Sequence, residues 1–328
     1  MTTSKIVVTG ANGFVGARLC TRLDVLGHEV IAIVRSPTQA ASGISRTITV
    51  ADWLQTEQWA EAFRGVDALV HLAGRAHHGE AVTAADRALF WQTNVEATRA
   101  LIMNAAAAGV RNVVFVSSSK VYPETREAES APSLSARDPV APDGVYAASK
   151  LAAEQVLQKH AAQHGIALTI LRPPLIYGPG NKGNLLSLMR AIERGLPLPF
   201  KSIQNKRSFI YIDNFIEAIV RALTRTDTGS KVYTLADCAL STSELIEIIA
   251  RGMQRRPRLL RCPSRLLWLA SALVGRTALY ARLTQSLVLD DSDIRRDLHW
   301  QPVRSSEEGF AMTGAWFRAL SGDLGASD

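Results

Sequence analysis

The run Lys5-Ile-Val-Val-Thr-Gly-Ala-Asn-Gly-Phe-Val-Gly16 constrains this chain more than any other stretch. Its β-branched residues read as a buried strand, and Gly10, Gly13 and Gly16 then lead into a helical stretch beginning near Phe14. Glycine permits the tight turn and lets the backbone approach a pyrophosphate, whose charge is favoured at a helix N-terminus. Strand, glycines and helix in this order predict a dinucleotide site. The spacing is G-x-x-G-x-x-G rather than G-x-G-x-x-G, which points away from the ordinary dehydrogenase fingerprint.

Strand-like and helix-like stretches alternate after it. Candidate strands are Lys5–Thr9, Glu29–Val34, Thr47–Val50, Ala68–His71, Asn112–Ser117 and Ala167–Leu171, with helices Phe14–Leu26, Trp53–Phe63, Arg87–Ala108 and Tyr146–Gln163 between them. Such βα alternation predicts an α/β fold with a doubly wound parallel sheet. After Arg172 the pattern breaks into Pro/Gly loops and short helices. We therefore expect a Rossmann-type domain over 1–172, with 205–225 returning to it, and a smaller α/β substrate lobe over 173–204 and 226–320. Glu124 to Asp143, rich in Pro, Ser and charge, reads as a loop near the site. The 328 residues and 47% hydrophobic content suit a nucleotide-binding domain with an attached lobe.

Two further motifs supply chemistry for a bound cofactor. Tyr146 and Lys150 are four residues apart on one helix face, so the ammonium can sit beside the phenol. A charge about 4 Å away at an effective dielectric near 20 is worth roughly 4 kcal/mol, enough to lower a phenol pKa of about 10 by up to about three pH units. Tyr146 then becomes a proton acceptor from an alcohol. The apolar strand at Asn112 ends in Ser117-Ser-Ser119, and side chains just beyond the carboxyl end of a strand line the ligand crevice of such sheets. A serine there can hydrogen-bond the reacting oxygen.

With Thr9-Gly-Ala-Asn-Gly-Phe-Val-Gly16, His71-Leu-Ala-Gly74, Asn94-Val-Glu-Ala-Thr98, Ser117-Ser-Ser-Lys-Val-Tyr122, Tyr146-Ala-Ala-Ser-Lys150, Arg172-Pro-Pro-Leu-Ile-Tyr-Gly-Pro179, Arg207-Ser-Phe-Ile-Tyr-Ile-Asp-Asn214 and Asp297-Leu-His-Trp-Gln-Pro302 in order, the chain resembles an extended short-chain dehydrogenase/reductase of the NAD-dependent epimerase/dehydratase family. Within it the chain is most similar to UDP-glucose 4-epimerase-like proteins and UDP-4-keto-6-deoxy-N-acetylhexosamine 4-reductases. The resemblance implies hydride transfer at C4 of a UDP-hexose or UDP-N-acetylhexosamine, for O-antigen-type surface polysaccharide synthesis, by a cytoplasmic homodimer. It puts the catalytic set on Ser118, three residues before Val121, with Tyr146 and Lys150. It places the cofactor against Gly10, Asn12, Gly13, Phe14, Val15, Gly16, Leu72, Ala73, Gly74, Asn94, Tyr146, Lys150 and Pro173. Substrate contacts fall on Ser118, Ser119, Lys120, Asn184, Arg207 and Arg282, the two arginines suiting diphosphate oxygens. No metal is implied. The family's dehydratases follow the catalytic Ser/Thr with Asp-Glu; Ser119-Lys120 stands here instead, which favours chemistry at one carbinol and leaves epimerase and 4-ketoreductase equally open.

The cofactor is NADP or NAD. Arg35 ends the second strand without a neighbouring carboxylate, which favours a 2′-phosphate and hence NADP; Arg35 stacking on adenine in an NAD enzyme is the alternative. Asp52 matches a family position near the adenine and otherwise caps a helix starting at Trp53.

The net charge of +7 is unevenly spread: Ile248 to Leu289 holds eight arginines and no Asp or Glu. Such a segment attracts anions; it reads as a solvated basic face, a phosphate-facing lid, or a patch making weak peripheral contact with an anionic membrane. No apolar run is long enough to span a bilayer, Leu266–Val274 being about half the necessary 18 or so residues. No nucleic-acid motif accompanies the charge. Cys20, Cys238 and Cys262 lack paired or metal-ligand spacing. Two alternative readings are an enzyme acting on a lipid-linked sugar diphosphate and a non-catalytic relative that senses NADP(H).

Overall fold

A computed structural model describes residues 3–36, 46–54, 57–76, 83–124, 133–273, 275 and 277–325. Strands β1 (Lys5–Thr9), β2 (Glu29–Val34), β3 (Arg46–Thr49), β4 (Ala68–His71) and β5 (Asn112–Val116) fall within a residue or so of the expected runs. They lie in a seven-stranded sheet with β7 (Ala167–Arg172) and β11 (Gly229–Thr234), ordered β11-β7-β5-β4-β1-β2-β3. Each neighbouring pair is parallel. This is a Rossmann-type doubly wound sheet, whose order reverses at β1 and β4.

The inner strands are near-continuous apolar runs because both faces are covered. Ile6, Val8, Ala32, Val70 and Val114 face a core completed by α1 (Phe14–Val25) and α7 (Ile212–Leu223). Val7, Ile31, Ile33, Leu69, Val113 and Phe115 face the opposite core, with α2 (Glu57–Ala62), α4 (Ala97–Ala107) and α5 (Gly144–His164). The helix expected over Arg87–Ala108 is three pieces: α3 (Ala84–Trp91), a π-helical stretch Gln92–Glu96, and α4. Of the helix expected over Trp53–Phe63, Trp53 and Leu54 form a turn, residues 55 and 56 lie outside the described set, and α2 is described from Glu57; Asp52 accepts from Leu54 N at 2.9 Å. Residues 125–132 of the expected loop also lie outside it, as do Val274 and Arg276.

A small sheet orders β12 (Cys238–Leu240), β10 (Arg207–Tyr211) and β8 (Leu175–Tyr177). The short pairs β6 (Ser133–Leu134) with β14 (Val288–Leu289), and β9 (Pro197–Leu198) with β13 (Arg258–Leu259), tie distant loops together. Helices α6 (Asn184–Glu193), α8 (Thr242–Gly252), α9 (Ser264–Leu273), α10 (Thr277–Thr284), α11 (Ser292–Leu298) and α12 (Ser306–Gly325) complete the chain. Gly229–Thr234, expected in the lobe, extends the large sheet beside β7 because its backbone satisfies that strand's free edge. Arg207–Tyr211, expected to return to the first domain, pairs within the small sheet, while Phe209, Ile210 and Tyr211 share with the following helix the core cluster that includes one face of the large sheet. We propose a two-part division that moves β11 into the nucleotide-binding part.

Candidate active site

The loop after β1 is a backbone cradle. Gly10 has φ +68°, and a Cβ on it would lie 2.9 Å from Ala73 N; a Cβ on Gly16 would lie 2.1 Å from Gly10 O. Side chains at those two positions would push the loop off its neighbours. Gly13 begins α1 without a side-chain cap, and the first turn holds no acidic residue. The N–H groups of that turn, at Phe14, Val15 and Gly16, are therefore left for an anion. Asn12 and Gly13 are exposed beside them. The cradle fits a dinucleotide pyrophosphate.

The loop after β4 is anchored by polar side chains. Thr9 Oγ1 accepts from Ala73 N at 3.2 Å and meets His71 Nδ1 at 2.8 Å; His71 Nε2 meets Thr98 Oγ1 at 2.9 Å. Burial, then the charge of Lys150, holds the His71 pKa down to about 3, so its ring is a neutral strut. Asn94, in the π-helical stretch, accepts from Arg75 N at 2.7 Å and donates to Ser149 Oγ at 2.9 Å. It thus joins the Leu72-Ala73-Gly74 loop to the helix carrying Tyr146.

Ser118, Tyr146 and Lys150 meet Leu72, Gly74 and Pro173 in one cleft of ≈ 230 Å³, also lined by Arg75, Val116 and Ile176. The strand expected to Ser117 ends at Val116; Ser117 N still bonds Leu171 O at 2.8 Å, and Ser119 N bonds Pro173 O at 2.9 Å. These two bonds leave Ser118 between them, on the cleft. Ser119 is buried, and the Lys120 amine stands 5.7 Å from the Tyr146 ring centre.

Tyr146 and Lys150 line the same cleft, but the Lys150 ammonium is engaged on the sheet. Burial raises the Tyr146 phenol, and the Ser118 hydroxyl, hydrogen-bonded to it, works in the opposite direction. Lys150 turns to the sheet, donating to Val116 O at 2.9 Å and lying 4.7 Å from the Phe115 ring centre. Burial lowers its own pKa to about 8, opposed by the charge of Glu154. The helical spacing places the pair on one face but does not aim the ammonium, which finds its nearest acceptor in a strand carbonyl.

Behind the cleft lies a buried network that sequence reading missed. Arg172 grips Glu154 through two hydrogen bonds, at 3.1 and 2.6 Å, and bonds Tyr122 Oη at 2.6 Å; Ser117 Oγ donates to the same Glu154. One signal was available: Glu154 is four residues beyond Lys150 and shares its helix face.

The other expected residues lie away from this cleft. Arg35 and Asp52 are exposed just past β2 and beyond β3. Asn184 is exposed at the first turn of α6. Arg207 is held by Glu124, with its Nη2 2.8 Å from Oε1, and donates to Gln285 O at 3.2 Å. Arg282 belongs to α10, and its side chain is outside the described residues.

The family model described as NAD dependent epimerase/dehydratase matches residues 6–236. A UDP-glucose 4-epimerase of Vibrio cholerae is 31% identical over 315 residues, covering 95% of each chain. An N-acetyl-alpha-D-glucosaminyl-diphospho-ditrans,octacis-undecaprenol 4-epimerase of Escherichia coli O157:H7 is 28% identical over 254 residues, 76% of this chain and 73% of that one. Among solved structures, MoeE5 in complex with UDP-glucose and NAD superimposes with a TM-score of 0.77 at 26% identity, over 97% of this chain and 99% of the other.

Proposed function

The chain belongs to the NAD-dependent epimerase/dehydratase family, and from that premise we propose that it inverts C4 of a nucleotide-linked hexose or N-acetylhexosamine by removing and returning hydride. The observation that carries this reading is the cleft that gathers Ser118, Tyr146 and Lys150 between the carboxyl ends of β4 and β5. The 31% identity to a UDP-glucose 4-epimerase over 95% of both chains supports an epimerase over a 4-ketoreductase.

The cradle after β1 would hold an oxidised nicotinamide dinucleotide, whose chemistry there would be to accept the C4 hydride and give it back. Ser118 hydrogen-bonds the C4 oxygen, and Tyr146 takes the hydroxyl proton as C4 becomes a carbonyl, then returns it when the turned sugar is reduced on its other face. Glu154, itself held by Arg172, favours the protonated Lys150, whose ammonium would turn from Val116 O to lend its charge to the phenolate. Arg207 would engage the diphosphate, displacing Glu124. NAD is favoured as the cofactor, because a hydride that is returned needs no reductant and because MoeE5 was solved with NAD. The exposed Arg35 just past β2 supports NADP as the second reading. A lipid-linked sugar diphosphate is a second substrate reading, favoured by the exposed apolar residues of α9.

The test is incubation of purified protein with UDP-glucose, UDP-N-acetylglucosamine and a UDP-4-keto-6-deoxy sugar, separating C4 epimers while following NADPH absorbance. Tyr146→Phe should lower turnover by about 10²-fold or more, the scale of general acid–base loss. Turnover within a few-fold of the unmodified protein would remove Tyr146 from this role. Consumption of NADPH with the keto sugar, without interconversion of epimers, would replace the epimerase by a ketoreductase.

A further inference from the structure

Helix α9 buries none of its residues. Leu266, Trp268, Leu269 and Leu273 are between 49% and 80% exposed, although burying a side chain of this size is worth about 1.5–3 kcal/mol. Leu266, Leu269 and Leu273 recur at i, i+3 and i+7 and form one stripe along the helix. Arg265 and Trp268 stand beside that stripe. Just past β13, Leu260 is 50% exposed, and its N–H bonds Leu198 O at 2.9 Å. Leu196, 47% exposed, lies two residues before Leu198.

The charge carried by the segment around α9 has one sign. From Ile248 to Leu289 the chain has eight arginines and no Asp or Glu. Arg255 is committed to Glu193 at 2.7 Å, and Arg258 reaches Gly195 O at 3.4 Å. Arg256, Arg261 and Arg265 are exposed. An exposed leucine stripe with tryptophan beside it and arginines at its edge is the composition of a helix that lies in a membrane interface. An aqueous protein partner would meet the same apolar stripe but would need an acidic face to match the arginines.

We propose that α9, with Leu260 and the flanking arginines, is a docking surface for an anionic lipid bilayer. Among the described residues no helix is long and apolar enough to cross a membrane, so the attachment is peripheral and reversible. The leucines and Trp268 enter the headgroup boundary, and Arg256, Arg261 and Arg265 meet lipid phosphates. Helix α9 is tied through α10 to the candidate substrate end: Tyr280 Oη bonds Ser264 O at 3.2 Å, and Gln285, just past α10, accepts from Arg207 and Asn205. Docking therefore holds the Arg207 region close to the lipid surface.

The experiment is co-sedimentation of the full chain with vesicles of phosphatidylcholine alone and of phosphatidylcholine mixed with phosphatidylglycerol, at low and high salt. Binding is expected to the mixed vesicles, to fall at high salt because surface charges are screened, and to be weak on phosphatidylcholine. Each of Arg261→Gln and Arg265→Gln should weaken it by about fivefold, the contribution of one basic residue near an anionic surface. Leu266→Ser combined with Trp268→Ser should abolish it, with circular dichroism and melting unchanged. Equal binding to both vesicle types, or variants that bind like the parent, would overturn the proposal. So would a parent that ignores vesicles and sediments as a dimer that the Leu266→Ser/Trp268→Ser pair turns into a monomer, since the surface would then belong to a second copy. Vesicle binding does not read turnover, so the result stands apart from the sugar substrate proposed above.

Discussion

Replacing Lys150 by methionine is expected to stabilise the protein at neutral pH while removing the ammonium that the proposed reaction uses. Lys150 is 6% exposed, and burial brings its pKa from an ordinary 10.5 to about 8. At about 1.4 kcal/mol per pH unit, keeping this amine protonated at neutral pH costs the fold about 3 kcal/mol relative to the unfolded chain. Methionine forfeits the bond to Val116 O, worth about 1 kcal/mol net. It also forfeits the position over Phe115, worth about 0.5–2 kcal/mol. The balance is a gain on the order of 1 kcal/mol. The pH dependence gives the argument its sign. Between about 8 and 10.5 the unfolded chain binds the proton that the folded protein has lost, so the contribution of Lys150 to stability rises with pH across that window. The advantage of the methionine variant is therefore largest below pH 8 and shrinks toward pH 10.5. Urea unfolding of both proteins at a series of pH values reads the difference directly. A variant less stable than the parent at neutral pH, or a difference that stays constant through the alkaline window, would refute the claim that the buried ammonium is a cost to the fold.

Arg35→Asp should weaken NADPH binding more than NADH binding if Arg35 meets a 2′-phosphate, because a charge-assisted contact becomes a repulsive one; equal losses, measured by fluorescence titration, support NAD and exclude the NADP reading. Arg207→Ala should weaken UDP as an inhibitor by about tenfold to a hundredfold, the loss of one charge-assisted contact of about 1.5–3 kcal/mol, with cofactor affinity unchanged. Normal UDP binding by that variant would remove the main physical support for a nucleotide-linked substrate.

The parallel sheet was legible because its inner strands are largely apolar and its helices fall between them, and the cradle because glycine is required where Gly10 takes φ +68°. What sequence could not supply was direction. Tyr146 and Lys150 share a helix face by spacing, yet the Lys150 ammonium turns to Val116 O, because the choice of acceptor depends on a strand more than thirty residues earlier. Arg172 and Glu154, which belong to a strand and a helix, form one buried pair with Tyr122 and Ser117 only when the sheet is assembled. Glu124, read only as the edge of a loop, is the partner of Arg207, 83 residues away. β11 follows the helix α7 but is itself largely polar, and its place was decided by the free edge of β7. The sequence by itself determined the order of most elements, the dinucleotide cradle and the Tyr146–Lys150 pair, since these rest on backbone conformation and spacing within short segments, while the choice of Ser118 came from the family resemblance. Only the tertiary structure decided where the ammonium points, what holds it charged and which arginine is already occupied, since each depends on charges and carbonyls that meet only when distant segments pack.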